Sequence, residues 1–325
     1  MNANAVFDIT DDSDFTAVAL KVFRHQYRNN EVYREFCDLL GRTPAKVGTV
    51  EEIPFLPISF FKSHKITTSG APPEELFTSS GTTGMSTSKH YVADRTIYER
   101  SFSDAFQRFY GNISDYVVLA LLPSYLERQG SSLIYMVDDL IRRSADPYSG
   151  FYLDDLESLG HTLETLDQKG KKILLIGVSF ALLDLVETHR FQLENTIVME
   201  TGGMKGRRKE LIREELHQLL EKGFGVSEIH SEYGMTELLS QAYSPGNGNF
   251  HCPPWMKIII RDPEDALSLQ PTGKTGGINV IDLANIHSCS FIATQDLGKT
   301  HPDGSFEVLG RFDHSDIRGC NLMVM

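Results

Sequence analysis

The spacing of apolar and polar positions predicts that helices and buried strands alternate along most of the chain. Three short, nearly continuous apolar runs, YVVLALLP, KKILLIGV and TIVMETGG, are typical of strands covered on both faces. Helical spacing occurs before, between and after these runs, at residues 94–109, 133–143, 155–168, 180–187 and 207–222. This alternation predicts an α/β fold with a largely parallel, covered sheet.

The two ends of the chain follow different patterns. Apolar residues recur at helical spacing between residues 13 and 40, and the prolines of IPFLPISFFKSHKI then favour extended chain packed on a core. From about Met256 the runs KIIIRD, GGINVIDL and SFEVLG predict a smaller antiparallel or barrel-like region. We therefore predict a single domain with a helical and extended region (1–66), an α/β core (67–255) and a β-rich subregion (256–325).

Composition and charge narrow the possible functions. Hydrophobic residues make up 41% of the 325 positions and charged residues 23%, the balance of a globular protein. The net charge of −13, without a concentrated basic stripe, disfavours nucleic acid as a partner. The N-terminus lacks the pattern of a signal peptide, and no apolar run approaches the roughly 20 residues that span a bilayer. We therefore expect a cytoplasmic protein without a membrane span.

One segment, FTSSGTTGMSTSK at residues 77–89, is rich in glycine and hydroxyl residues. Its glycines let main-chain N–H groups approach a ligand closely, its hydroxyls add donors and its lysine adds a cation, a combination that suits polyphosphate. The residues concerned are Ser79, Ser80, Gly81, Thr82, Thr83, Gly84 and Lys89. The Walker spacing is absent, so a P-loop fold is excluded, and composition alone also favours a solvated linker.

Further motifs follow this loop, each of which we expect in a loop at a strand end, where open α/β sheets place their ligands. The order SSGTTG, TGG, YGMTE, DLG and GRFD resembles the adenylate-forming superfamily of acyl-CoA synthetases, nonribosomal adenylation domains and luciferases. IPFLPISFFKS and RGCN look most like the acyl-protein synthetase branch of bacterial luminescence, related to phenylacetate-CoA ligases. The resemblance covers nearly the whole chain and implies the large N-terminal domain of such an enzyme.

The resemblance also implies an activity and assigns roles to individual residues. These enzymes join a carboxylate, in this branch a fatty acid, to the α-phosphate of ATP and release pyrophosphate. By similarity, the loop from Ser79 to Lys89 holds the β- and γ-phosphates, Thr236 contacts the α-phosphate and Glu237 binds Mg²⁺. Lys89 lies five positions after Gly84, whereas familiar members place their loop cation three positions after the last glycine.

The remaining nucleotide contacts come from the other motifs of the same resemblance. Tyr233, followed by Gly234, would lie against the adenine, and Asp296 and Arg311 would hold the ribose hydroxyls. Gly202 and Gly203 would let the backbone approach the nucleotide. Taken one at a time, Tyr233 also fits a core residue, Asp296 a turn cap and Arg311 a surface ion pair.

The C-terminal end of the chain carries the last candidate for the chemistry. Full-length relatives continue into a mobile C-terminal cap domain, which we expect to be absent because only NLMVM follows Cys320. Acyl-protein synthetases pass the acyl group to a cysteine near their own C-terminus, and by resemblance Cys320 takes this role before a partner such as a reductase or carrier receives the acyl group. Arg318 would lower the thiol pKa. The alternative is a small buried residue in a terminal strand.

Several residues keep alternative interpretations. His251, Cys252, His287 and Cys289 suggest a zinc site, although their spacing matches no established zinc pattern and Cys289 also fits a core strand. The acyl pocket draws on distant segments, with candidates at Tyr125, Leu126, Tyr148 and His230. The competing functions are an acyl- or aryl-CoA ligase with a separate cap domain and a non-catalytic nucleotide-binding subunit.

Overall fold

The N-terminal region is helical and is then extended, as its pattern predicts. The computed structural model describes residues 2–68, 70, 72–79, 87–123, 130–202 and 211–312. A short 3-10 helix (Ala3–Asp8) is followed by α1 (Asp12–Asn29), α2 (Glu31–Leu39), β1 (Leu56–Pro57) and α3 (Phe60–Ser63). Asn30 separates the first two helices, because its N–H donates to Gln26 at the end of α1 while its side chain accepts from the Tyr33 N–H and begins α2.

A short hairpin and a helix come next. Strands β2 (Glu75–Thr78) and β3 (Lys89–Val92) pair antiparallel, and α4 (Arg95–Tyr110) follows them. The hairpin flanks residues 80–86, which lie outside the described residues. Ser79 and Ser88, on either side of these residues, form two hydrogen bonds. The Ser79 N–H donates to the Ser88 carbonyl at 3.1 Å, and the Ser79 hydroxyl accepts from the Ser88 N–H at 2.9 Å.

The central sheet confirms the predicted alternation of strands and helices. In chain order its elements are β4 (Val117–Leu121), α5 (Ser132–Ser144), β5 (Gly150–Phe151), α6 (Leu156–Gln168), β6 (Ile173–Gly177), α7 (Ser179–Thr188), β7 (Thr196–Thr201), α8 (Arg213–Phe224), β8 (His230–Tyr233) and β9 (Ala242–Ser244). The strand order is β5-β4-β6-β7-β8-β9, with every neighbouring pair parallel except β8 and β9. Every residue of β4 and β6 is buried, as expected of strands covered on both faces.

The second sheet contains β10 (Met256–Arg261), β11 (Gly276–Asp282), β12 (Phe291–Thr300) and β13 (Phe306–Arg311), which pair antiparallel as predicted. β1 from the N-terminal region pairs parallel with β12, on the side of β12 that also carries β13. One expectation is wrong here: the DLG motif does not follow a strand, because Asp296 lies inside β12. The long pairing of β12 with both β11 and β13 keeps this part of the chain extended.

A polar contact joins the two sheets within the core. Trp255, which precedes β10 and is fully buried, donates its indole N–H to the hydroxyls of Ser101 and Ser240. The Asp282 carboxylate accepts the N–H groups of Leu239 and Ser240 and so fixes the chain that connects β8 to β9. Among the helices in the described ranges, none is both long and apolar enough to cross a membrane.

Candidate functional site

A cavity of about 570 Å³ lies where the two sheets and the β2–β3 hairpin meet. Its described walls come from the end of β7, from β8 and the chain after it, from β12, from Arg311 at the end of β13, and from helices α3, α4 and α5. The lining residues from the predicted motifs are Ser79, Gly202, Gly234, Thr236, Glu237, Asp296 and Arg311. Motifs that are far apart in the sequence therefore converge on one space.

Asp296 is a buried carboxylate at the centre of a polar cluster on one wall of this cavity, in which the Arg311 side chain is mostly exposed. The Tyr233 hydroxyl donates to Asp296 Oδ2 at 2.8 Å, and Arg311 Nε donates to Asp296 Oδ1 at 3.1 Å. Asp296 and Arg311 are directly paired residues on the adjacent strands β12 and β13. Each carboxylate oxygen keeps a lone pair, so Asp296 can accept further hydrogen bonds from the hydroxyls of a ligand.

Tyr233 itself packs as a core residue beside the site. Its ring meets the edges of Phe250 and Phe306, and it is not among the described lining residues. Burial raises the pKa of Tyr233 well above its usual range, and the negative charge of Asp296 acts in the same direction. The tyrosine is therefore a neutral hydrogen-bond donor that orients Asp296, while its contact with adenine stays a prediction.

Thr236 and Glu237 lie in the connection between β8 and β9, and side chains from other parts of the fold contact the carbonyl oxygens of both residues. His90 Nδ1 lies 2.8 Å from the Thr236 carbonyl oxygen, and Asn285 Nδ2 donates to the Glu237 carbonyl at 2.8 Å. His90 Nε2 lies 3.0 Å from Asn285 Oδ1, which links the two supports. Burial lowers the pKa of His90 to about 4, so the imidazole is neutral near pH 7 and donates its single N–H to only one of these two oxygens.

No sequence signal identifies His90 or Asn285, because a lone histidine or asparagine matches no motif. His90 does follow Lys89 directly, and only the placement of β3 against the β8–β9 connection shows its contact with Thr236. Neighbouring strand residues point to opposite faces, so Lys89 points away from the face that carries His90. Lys89 is exposed and is not among the described residues that line the cavity.

The side chain of Glu237 is buried at the cavity wall. Burial raises the pKa of this carboxyl, while a hydrogen bond from Ser88 and the charges of Arg311 and Lys62 act in the opposite direction. Lys62, at the end of α3, lines the cavity and was not predicted. Its sequence context, FFKS, carries no recognised phosphate-binding spacing, so only the folded position of α3 identifies it.

The oxygen donors around Glu237 suit a magnesium ion. Its carboxylate and the hydroxyls of Ser88 and Thr236 all line the same cavity, and Mg²⁺ prefers hard oxygen ligands shared with substrate phosphates. A cation beside Glu237 would also offset the cost of burying its charge. These residues would hold the metal, and the ion would supply positive charge for the phosphates.

Gly202 and Gly234 bring the backbone close to the cavity for different reasons. Gly202 follows β7 with φ of +69°, a conformation that favours glycine, and its carbonyl accepts from the Ser179 hydroxyl at 2.6 Å. A Cβ atom at Gly234 would overlap the Glu232 carboxylate. Predicted site residues that lie outside the described residues are Ser80, Gly81, Thr82, Thr83, Gly84, Gly203 and Cys320.

The zinc interpretation finds no support in the fold. Among the residues that the structure describes, no group of three or more His, Cys, Asp or Glu side chains is arranged to hold a metal ion. His251, Cys252, His287 and Cys289 therefore form no cluster of that kind. Burial raises the pKa of both Cys252 and Cys289 well above the usual range, which is typical of unreactive core thiols.

The acyl-pocket candidates that can be located do not line the cavity. Tyr148 is exposed, and His230 Nδ1 instead lies 3.2 Å from the Tyr110 hydroxyl. Tyr125 and Leu126 lie outside the described residues. The cavity is also lined by residues that the sequence did not single out, among them Tyr98, Ser132, Leu133, Met136, Thr201, Glu232 and Gln241.

The fold and the arrangement of this cavity define the protein as an adenylate-forming ligase. The open form of 2-hydroxyisobutyryl-CoA ligase superposes with a TM-score of 0.69 at 11% identity, over 93% of this chain and 75% of that one. ATP-bound MatB from Rhodopseudomonas palustris superposes with a TM-score of 0.53 at 18% identity, over 73% of this chain and 47% of MatB. The chain belongs to the family described as acyl-protein synthetase, LuxE, which matches residues 8–117 and 140–325.

Two curated relatives carry the same name, Long-chain-fatty-acid–luciferin-component ligase. The protein from Vibrio harveyi is 26% identical over 324 residues, which cover 92% of this chain and 84% of the relative. The protein from Aliivibrio fischeri is 25% identical over 332 residues, covering 93% of this chain and 85% of the relative. These matches extend across both sheets of the fold.

Proposed function

We propose that this protein uses ATP and Mg²⁺ to activate a fatty acid as an acyl-adenylate and then transfers the acyl group to a protein cysteine. The observation that carries the proposal is the convergence of Asp296, Arg311, Thr236 and Glu237 on one cavity. Family membership and the names of the two curated relatives support the fatty acid as the substrate class.

In the first step a carboxylate oxygen of the acid attacks the α-phosphorus of ATP. The new P–O bond replaces the bond to pyrophosphate, which leaves with its electron pair. Asp296 would accept hydrogen bonds from the ribose hydroxyls, Thr236 would donate to the α-phosphate, and Glu237 would hold Mg²⁺, whose charge offsets that of the leaving group. Lys62 and Arg311 add positive charge along the same wall.

In the second step a cysteine thiolate attacks the acyl carbon, and AMP leaves as the thioester forms. The family resemblance supports Cys320 as this first acceptor, after which a partner protein with its own thiol would take the acyl group. The thiol proton is lost to solvent or to a nearby base before attack, because the thiolate is the nucleophile.

The test of the first step is the carboxylate-dependent exchange of labelled pyrophosphate into ATP, with fatty acids of increasing length and Mg²⁺. We expect exchange in the wild type and its loss in Glu237→Gln. An absence of exchange with every acid would overturn the proposal in favour of a non-catalytic nucleotide-binding subunit.

The second step is tested by intact-protein mass spectrometry after incubation with ATP and the acid. We expect an acyl adduct that disappears in Cys320→Ala. Persistence of the adduct in that variant would remove Cys320 from the mechanism, and rapid formation of acyl-CoA on addition of coenzyme A would indicate a CoA ligase instead.

A further inference from the structure

The strand that carries Asp296 is irregular at that residue. The register of β11 against β12 shifts between Gly277 and Asn279. Ile278, the residue between them, lies opposite three residues of β12, at positions 294–296. Bulges of this kind are common next to active sites, where they change the direction in which a side chain points. The position of Asp296 at the cavity therefore depends on what holds the backbone at this bulge.

Arg261 reaches the bulge from β10 and donates to backbone carbonyls on both of the other strands. Its Nη1 donates to the Ile278 carbonyl at 2.8 Å, and its Nη2 donates to the Thr294 carbonyl at 2.5 Å. Nη1 also donates to Asn279 Oδ1 at 2.9 Å. A guanidinium carries its donors in a rigid planar fork, so one side chain can fix two carbonyl groups relative to each other.

Thr294 links this arrangement to Asp296. Its hydroxyl donates to the Ile278 carbonyl at 2.8 Å and accepts the Asp296 N–H at 3.1 Å. Thr294 and Asp296 line the cavity, whereas Arg261 is not among the described lining residues. Burial lowers the pKa of Arg261, and the negative charge of Asp296 acts in the opposite direction. Arg261 therefore supports the backbone of Asp296 from outside the cavity.

The same guanidinium also contacts the chain that follows Arg311. Its central carbon lies 5.4 Å from the centre of the Phe312 ring, within the range of a cation–π contact. The Phe312 N–H donates to the Gln295 carbonyl at 2.8 Å, directly beside Asp296. Both members of the ion pair between Asp296 and Arg311 therefore adjoin groups that Arg261 holds.

Gly277 leaves the space that the guanidinium occupies. Gly277 and Arg261 are directly paired residues of β11 and β10. A Cβ atom at Gly277 would overlap Cζ of Arg261. An alanine at this position would therefore displace the guanidinium, and because that group is the end of a long side chain, the strands themselves need not move.

We propose that Arg261 is a positioning residue for nucleotide binding, which holds Asp296 where it accepts hydrogen bonds from the ribose hydroxyls. The inference rests on the proposed function for the identity of the ligand as ATP. Displacement of the guanidinium should weaken recognition of the ribose more than it weakens binding of the rest of the nucleotide.

The test compares the binding of ATP and 2′,3′-dideoxy-ATP by isothermal titration with Mg²⁺ present. We expect the wild type to bind ATP about 10–100-fold more tightly, because the dideoxy form cannot donate hydrogen bonds to the Asp296 carboxylate. In Arg261→Lys and in Gly277→Ala this preference should fall by about tenfold, since a small misplacement of a binding group can remove much of its effect. The preference is a ratio within one variant, so a fraction of unfolded protein does not alter it.

Gly150→Ala is the matched control and should keep the wild-type preference, because a Cβ atom at Gly150 meets no other heavy atom within 4 Å. A full wild-type preference in Gly277→Ala or Arg261→Lys would overturn the inference, as would an equal loss of affinity for both nucleotides. Wild-type protein that binds the two nucleotides equally, or binds neither, would also overturn it. Absence of pyrophosphate exchange despite selective binding of ATP would count against the proposed function alone, so the two failures are distinguishable.

Discussion

His90 Nδ1 lies 2.8 Å from the carbonyl oxygen of Thr236, so the strand that follows the glycine-rich loop directly supports the segment that carries Thr236 and Glu237. The contact spans 146 residues of sequence. It joins the segment proposed to hold the phosphates to the segment proposed to hold the metal. A change at His90 should therefore affect the geometry at both.

We expect His90→Ala to lower the rate of pyrophosphate exchange and to raise the Mg²⁺ concentration needed for half-maximal exchange. The physical reason is that the Thr236 carbonyl loses its support and Glu237 moves with it, at a cost of about 1–3 kcal/mol for an unpaired buried group. His90→Asn places an amide where Nδ1 lies and should partly restore the Mg²⁺ dependence. An unchanged Mg²⁺ dependence in His90→Ala would contradict this positioning role.

The contact between Tyr233 and Asp296 predicts a specific effect on ATP binding. Asp296→Asn should raise KM for ATP by about 10–100-fold, because hydrogen bonds to a charged group contribute about 1.5–3 kcal/mol each. Tyr233→Phe should have a smaller effect of the same kind, since it removes only the hydroxyl that orients Asp296. Steady-state exchange kinetics at varied ATP measure both.

Asp303→Asn, an exposed change in the turn between β12 and β13, is the matched control and should leave KM for ATP unchanged. If Tyr233→Phe lowered KM for ATP or left it unaltered while Asp296→Asn raised it, the orienting role of the tyrosine would be wrong.

The positions of two lysines predict which one supplies charge to the phosphates. Both side chains are exposed, but Lys62 lines the cavity whereas Lys89 lies outside its described walls. We expect Lys62→Ala to reduce kcat/KM for ATP by about tenfold or more, as removal of one charge that stabilises a transition state commonly does. Lys89→Ala should have a smaller effect, similar to the surface control Lys222→Ala. If Lys89→Ala lost more kcat/KM for ATP than Lys62→Ala, then Lys89 rather than Lys62 would be the lysine that contacts the phosphates.

Glu232 predicts how stability depends on pH. Its pKa is raised from 4.5 to about 7 in the folded protein, so the folded state binds more protons than the unfolded state between these values. The free energy of unfolding should therefore fall as pH rises from 4.5 to 7, by up to about 3 kcal/mol from this group, and change little from it above that range. Glu232→Gln should flatten this part of the profile in urea denaturation measured at successive pH values.

The matched control is Glu264→Gln, which removes an exposed carboxyl and should keep the wild-type profile. Identical profiles for the wild type and Glu232→Gln would show that Glu232 does not titrate in this range.

Much of the architecture could be predicted from local patterns. The runs that became β4, β6 and β7 were identifiable because strands buried on both faces need continuous apolar sequence. The motif order also indicated the family and a minority of the cavity-lining residues, including Thr236, Glu237 and Arg311. These features depend on residues that are near one another in the chain.

The sequence by itself determined the kind of element along most of the chain, the order of the motifs and the class of chemistry they indicate. Only the tertiary structure decided that Asp296 lies inside a strand and that His90 supports Thr236. It also decided that Lys62 rather than Lys89 lines the cavity, and that Glu232 and Gln241 line the same cavity. The physical reason is that element type follows from local spacing, whereas these contacts depend on which strands become neighbours and in what register. A shift of one residue would turn Glu232 to the opposite face of its sheet.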